Sequence, residues 1–476
     1  MVPIKEKGMV TLEAKWQVLI VICIGIFMST LDGSILNIAN PTIAKSMSVS
    51  MQQVQWVVTA YMLVITATLL FFGKLGDQKG SSKIYTYGFL VFTIGSFFCS
   101  IAFTLQFLVS ARIFQAVGAS MMMATGIGIV SNAFPAQERG KALGITGSIV
   151  GIGNMTGPSL GGLLVAKFSW PVIFLLNIPI GLVGFVLATR YLPVDSATPK
   201  PVQIDFKGNL LFALAATLLL LGLAKNTSIN YNLFSLGIIF MLLFILVERR
   251  QPYPLLDFHL FYIKNFTYGN VMAFLSYATQ TAAIFLLPFY MDRLLHLSPA
   301  TSGLIMTITP VTMALTAPLA GNLSDKIGAP RLTSAAFLLL TSGHFILSTL
   351  STNYDLPRIA LGLFLLGIGT GSFGSPNNSS ILGSIPKEKA GYAGGFIATV
   401  RNFGFALGIA ASVTTFTLLL NHKAQSLPYI LAYTGASTWV YRINAAICLI
   451  GLLLSVISSQ HRQPVQNSCK NFDQSV

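Results

Sequence analysis

The sequence predicts an all-α polytopic membrane protein: two related six-helix halves plus two inserted helices, with 14 transmembrane helices in all and both termini cytoplasmic. Three observations predict it. Charged residues make up 9% of the 476 and apolar residues 54%, against about 25% charge in a soluble domain. So little charge cannot cover a water-facing surface, and lipid has to be the solvent. Apolar runs of about 20 residues, long enough to cross a bilayer, recur along the chain. The stretch GKLGDQKGSSK (Gly73–Lys83) returns in degraded form as GNLSDKIGAPR (Gly321–Arg331), with Gly73/Gly321, Asp77/Asp325 and Gly80/Gly328 at one offset of 248 residues.

Taken in order, the spans read as 16–38, 53–72, 84–104, 106–131, 141–166, 170–190, 208–224, 231–247, 266–290, 301–321, 331–350, 356–378, 391–419 and 437–459. The first is long enough to span and lacks a cleavage-site pattern, so no removed signal peptide is expected. Gly73–Lys83 reads as a tight charged loop between the second and third spans. The third and fourth part at a short break near Thr104–Gln106, which the charge alternation requires. With the N-terminus in the cytoplasm, 20 of the 29 Lys and Arg fall on inner segments and 7 on outer ones, leaving Arg112 and Arg401 inside spans. That alternation follows the positive-inside rule, and an odd number of spans would break it. The net charge of +15 is therefore topological and faces anionic lipid; nucleic acid is not an expected partner.

The corresponding second and tenth spans lie eight apart, not six, which makes 208–224 and 231–247 an insertion. Residues 1–190 are then the first half, 191–265 a linker carrying the two extra helices, 266–460 the second half and 461–476 a cytoplasmic tail. Duplication with Gly- and Pro-interrupted helices is the sequence sign of a secondary transporter.

Of the 14 Asp and Glu, only Asp32 falls inside a span. A charge there costs about 2.5–3.5 kcal/mol on insertion scales, which marks it as functional by default. Asp32 and Arg112 both lie roughly 9–10 Å below the outer surface at about 1.5 Å per residue, so matched depth permits a pair. The functional reading is a proton switch, a carboxylate whose charge the guanidinium governs. The alternatives are a structural ion pair or a carboxylate that snorkels to the outer interface.

GNMTGPSLGG (Gly153–Gly162) puts Gly153, Gly157 and Gly161 on one helix face with Gly162 beside them, where another backbone can approach closely. Pro158 removes a backbone hydrogen bond and favours a bend. Such a helix suits a rocking motion, and equally plain tight packing. Gly73, Asp77 and Gly80, with Gly321, Asp325 and Gly328, read as gating elements, Asp77 being a cap or a latch onto a cation across the bundle; a simple topological turn is the alternative. Asn37, Tyr61, Asn154, Tyr277, Gln280, Arg401 and Asn402 line a substrate cavity or bond neighbouring helices. Arg401 leads this set, because a mid-span guanidinium has to find an acceptor, a cavity or a ligand. His344 reads as a bond to a neighbouring helix. The four cysteines form no CxxC and no His/Cys cluster, so neither metal, cofactor nor disulfide framework is expected.

These stretches together resemble the major facilitator superfamily, and its fourteen-helix drug:proton antiporter branch in particular. LDGSILNIANP (Leu31–Pro41) is similar to that branch's first-helix signature LDxTIVNVALP, with Asn40 in place of a leucine. Gly73–Lys83 resembles the loop motif GxLaDrxGrk, with Gln78, Ser81 and Ser82 replacing basic residues. RIFQAVGAS (Arg112–Ser120) resembles RxxQGxGAA with Ala116 for glycine. GNMTGPSLGG matches the antiporter motif GxxxGPxxGG, and WPVIFLLNIPIG (Trp170–Gly181) is similar to WRWIFLINVPIG with Pro171 for arginine.

The resemblance implies a multidrug efflux transporter: proton-driven export of hydrophobic or amphipathic compounds, drugs or antibiotics in kind, by alternating access, with Asp32 and Arg112 as the coupling pair. It implies a multi-pass protein of the cell membrane, working as a monomer on a small-molecule substrate and protons. The second half offers Arg401 and no acid, which favours a neutral, monocationic, zwitterionic or anionic substrate over a dication. The competing transport reading is a dedicated exporter of one metabolite, lipid or antibiotic, or a uniporter or symporter of the same fold. A membrane enzyme would need clustered nucleophiles, ligands or paired carboxylates at bilayer depth. A channel would need rings of charge, and a primary pump a GxxxxGK[ST] loop. The sequence has none of these.

Overall fold

The protein is described from a computed structural model covering residues 12–135, 138–193, 205–223, 230–251, 256–351, 355–385 and 390–460. Its helices are α1 (Leu12–Ser46), α2 (Met51–Lys79), α3 (Ser81–Ser100), α4 (Leu105–Ala133), α5 (Arg139–Lys167), α6 (Val172–Leu175), α7 (Asn177–Tyr191), α8 (Phe206–Leu223), α9 (Tyr231–Glu248), α10 (Phe258–Phe261), α11 (Lys264–Arg293), α12 (Pro299–Met306), α13 (Ile308–Ile327), α14 (Ala329–Leu347), α15 (Leu356–Gly383), α16 (Ala390–Lys423) and α17 (Tyr429–Gln460). Each of the fourteen apolar runs coincides with a helix. The sixth is broken into α6 and α7 and the tenth into α12 and α13, while α10 is a single turn between spans. Ten stretches among the described residues are long and apolar enough to cross a membrane. The break between α3 and α4 is real, with the Thr104 hydroxyl accepting from the Phe107 amide at 3.3 Å as an N-cap.

Two helix ends differ from the sequence reading. Gly73–Lys83 is not an open loop. α2 runs on through Gly73 and Asp77 to Lys79, and only Gly80 leaves the helix, at φ 100°. The side chains of Asp77, the expected cap or latch, and of Asp325, its counterpart in the second half, lie outside the described residues. α1 likewise continues through Pro41 to Ser46, so Asp32 sits nearer the middle of its helix than a span ending at residue 38 places it. In both cases the helix outlasts the apolar run. Charge and proline end an apolar run without ending the backbone hydrogen-bond ladder.

The internal duplication is written in the backbone. The described residues with positive φ are Ser48 and Gly80 and, 248 positions on, His296 and Gly328. At the same offset Ser50 caps α2, accepting from Gln53 N at 3.2 Å, and Ser298 caps α12, accepting from Thr301 N at 3.2 Å. The two halves turn the chain at the same places by the same means. The offset also takes Asp32 to Gln280, so only one half carries the acid.

Packing is unequal at the two ends. At the end that the positive-inside rule assigns to the exterior, one apolar core spans both halves, joining Ile38, Ala39 and Val54 to Ala283, Met291 and Val413. Lys45 at the end of α1 meets Asp292 of α11 there at 2.7 Å. Toward the cytoplasm the core divides. One cluster lies in the first half around Ile22, Tyr85 and Phe89, and a separate one in the second half around Phe266, Ile381 and Phe396. The halves share one core at the outer end and keep separate cores at the inner end, where Ala398 of α16 still touches the first-half cluster. The inserted hairpin α8–α9 packs outside the bundle, with Ala216 and Leu220 of α8 against Leu63 of α2 and Ala406 and Ala410 of α16.

Candidate functional site

α1, α4 and α7 bring their polar residues to one point. Arg112 Nη1 donates to Asp32 Oδ2 at 2.6 Å, and both side chains are almost fully covered. Asn177 Nδ2 donates to Asp32 Oδ1 at 2.8 Å, and Gln115 Nε2 to the same oxygen at 3.1 Å. Gln115 is held in turn, donating to Ser96 Oγ at 2.8 Å and accepting from Arg112 at 2.5 Å. Arg112 Nε donates to the Val57 carbonyl at 3.2 Å, and the Tyr61 ring lies 3.9 Å from the guanidinium carbon. Each of the three groups bonded to the carboxylate is a donor. A buried pair this fully bonded meets the condition under which charges persist in a low-dielectric interior.

Local folding explains the arrangement. Gln115 lies three residues after Arg112 and so on the same face of α4. Asn177 opens α7 where the chain breaks after α6, and Trp170 anchors that corner by donating to Ser46 Oγ at 3.2 Å. The third partner of Asp32 thus arrives from a helix start.

α5 lies behind Asp32. A Cβ at Gly153 would sit 2.1 Å from Thr30 Oγ1, one at Gly157 1.9 Å from Ser34 Oγ, and one at Gly161 2.5 Å from Ile35 Cγ1. Ser34 also donates to the Gly153 carbonyl at 3.1 Å. The other edge of α5 meets the second half. A Cβ at Gly162 would be 2.4 Å from the Pro299 carbonyl oxygen, one at Gly303 2.2 Å from that of Pro158, and Ser159 and Thr307 hydroxyls lie 2.6 Å apart. One glycine-lined helix therefore touches both the backbone around Asp32 and the outer closure between the halves.

The remaining expected cavity residues separate. Tyr61 is 2% exposed and belongs to the ion-pair cluster rather than to a cavity. Asn402 is buried, and Gln280 is buried and bonded to Ser276 Oγ at 3.2 Å. Asn37, Asn154, Tyr277 and Arg401 remain half-buried. His344 makes no inter-helix bond: both ring nitrogens are buried without a partner among the described residues, and its ring stacks on Tyr441. Sequence reasoning missed Gln115, Asn177 and Ser96. The first two lie inside motifs quoted above, but neutral amides in spans carry no signal of their own until a charge is seen beside them.

Comparison with known proteins gives a consistent picture. The family described as Major Facilitator Superfamily matches residues 22–260 and 270–470. The riboflavin transporter RibZ of Clostridioides difficile is 50% identical over 448 residues, 94% of this chain and 98% of that protein. The multidrug resistance protein Stp of Mycobacterium tuberculosis is 31% identical over 396 residues, 81% of this chain and 73% of that protein. Among solved structures, the peptide transporter POT in complex with sulfate superposes with a TM-score of 0.69 at 16% identity, covering 94% of this chain and 95% of that one; this likeness shows the fold alone.

Proposed function

The chain belongs to the major facilitator superfamily, a family of membrane transporters, and from that premise we propose that it exchanges one planar heteroaromatic metabolite, riboflavin or a close flavin, against protons across the cell membrane. The observation that carries the substrate is the 50% identity to the clostridial riboflavin transporter along nearly the whole of both chains. Multidrug efflux within the fourteen-helix antiporter branch is the second reading. It is favoured by the glycine face of α5 and by the 31% identical resistance protein.

Asp32 carries the proton. In this structure its carboxylate is covered and accepts from three donors, an arrangement that supports its serving as the proton-releasing group of the exchange. Reprotonation requires α1 to part from its neighbours on the outer side, and a neutral carboxyl no longer attracts Arg112 with a full charge. That change in attraction lets proton binding bias the fold between its two openings. The driving force suffices: one proton contributes about 2.3 kcal/mol per 100 mV, roughly a fiftyfold gradient of a neutral solute.

Purified protein in liposomes with an internal pH dye tests this reading. A riboflavin gradient is expected to drive proton movement in the opposite direction in wild type and none in Asp32→Asn. Proton flux that survives in Asp32→Asn removes Asp32 from the coupling role. Flux in the same direction as the flavin makes the protein a symporter, and a response only to lipophilic drugs favours the second reading.

A further inference from the structure

Arg112 is neutralised by Asp32, but Arg401 is not. It lies eleven residues into the 34-residue α16, is half-buried, and makes no hydrogen bond or ion pair with any described residue. A free guanidinium at that depth is a costly feature that a ligand can offset.

Helix geometry shows where it points. On α16, Gly404 and Gly408 face α11, where added Cβ atoms would lie 3.2 Å from the Phe274 carbonyl oxygen and 2.2 Å from that of Ala278. Ala406 and Ala410 pack with Leu63 of α2 and with Ala216 and Leu220 of α8. Phe403 meets Phe212 of α8 at 6.1 Å, and Thr414 donates to the Leu223 carbonyl at 2.7 Å. At about 3.6 residues per turn, Arg401 and Phe405 fall between the faces that meet α11 and α2, on the side away from α8; farther along the helix that side carries Phe416, packed on Tyr433 of α17 at 4.8 Å. Both side chains are half-buried, and α8 lies on the opposite side of α16, outside the bundle. The Tyr277 ring packs edge-on to Phe405 at 5.3 Å, and Phe405 lies one helical turn from Arg401 on α16. Gly33 of α1, where an added Cβ would meet nothing within 4 Å, adjoins Asp32 in sequence and leaves its own face open.

We propose that Arg401, with Tyr277 and Phe405, is the specificity-determining contact for the substrate: its planar fork of N–H groups takes the paired carbonyl oxygens at one edge of a flat ring system, and the aromatic side chains take the ring's apolar body. A guanidinium is suited to this because it offers parallel donors in one plane and stacks against flat π-systems. The pyrimidinedione edge of a flavin carries such oxygens. The assignment rests on the flavin reading above and adds the residues that would enforce it.

Riboflavin transport by wild type, Arg401→Gln and Arg401→Lys in liposomes tests it, with flavin mononucleotide as competitor. The melting temperature and elution volume of each purified variant check folding. Arg401→Gln is expected to raise KM for riboflavin roughly ten- to a hundredfold, the loss of charge-assisted bonds to the substrate, with kcat largely kept. Arg401→Lys should fall between, retaining charge without the fork. A Gln variant with unchanged KM overturns the Arg401 assignment and leaves the flavin reading intact. A folded variant that loses kcat at unchanged KM shows a structural role and also overturns it. Wild type that binds the mononucleotide better than riboflavin, with that preference lost in Arg401→Gln, assigns Arg401 to a phosphate instead. Wild type that ignores riboflavin removes the flavin reading and the assignment with it.

Discussion

At the scale of single residues, the chain treats its buried polar groups in two ways. Asp32, Arg112, Gln115 and Asn177 satisfy one another, whereas Asn40 is fully buried in the outer core with both amide atoms unpartnered among the described residues. Asn40 stands where the resembling signature has leucine. An unsatisfied buried polar group costs about 1–3 kcal/mol, so Asn40→Leu is expected to raise the melting temperature in detergent without raising KM. His344→Phe is expected to be neutral or stabilising for the same reason; a marked loss of stability would show that the imidazole has a partner. The ion pair was legible in the sequence because only one acid lies in a span and one arginine shares its depth. The sequence leaves Tyr61 between a cavity and a helix contact, since hydropathy gives depth and leaves azimuth open. A tyrosine facing a cavity and one lying against a guanidinium look alike along the chain.

At the scale of elements, α5 is the most constrained helix near the site. Gly157→Val would force a side chain into Ser34 and toward the Ile35 amide nitrogen, 2.9 Å from the added Cβ. Transport is expected to fall by more than tenfold, or the protein to fail to fold, because a backbone cannot yield as a side-chain end does. Gly147→Ala on the same helix meets nothing within 4 Å and should leave transport within about twofold, a modest helix-propensity gain being the main effect. Transport assays on both variants, with melting curves, separate a failed contact from a generally fragile helix. The glycine spacing was readable because it repeats at helical period. The extent of α1 and α2 was not, because an apolar pattern marks where lipid ends while the helix continues into water.

At the scale of the whole molecule, closure outside and separation inside are set by where the shared core lies. Cysteine substitutions should report this. A cysteine at Gly394, which is exposed on α16 with nothing within 4 Å of an added Cβ, is expected to react with a membrane-impermeant maleimide from the cytoplasmic side. One at Ala283, in the outer core, should be protected from both sides until substrate or a pH gradient is supplied. Equal labelling of the two sites would show a resting state other than the one described. The two-half plan was legible from one repeated loop, and positive-φ residues at the same offset express it in three dimensions. Which end is shut was not legible, since it depends on a small difference between two packings of the same faces. The α8–α9 hairpin adds an asymmetry between the two seams. It covers the α2–α16 seam from the lipid side and leaves the α5–α12 seam without such a cover. A lipid tail or a membrane-dissolved solute arriving sideways therefore finds one flank already shuttered, and sideways traffic into the central space is expected to be one-sided even though the two halves are copies of one another.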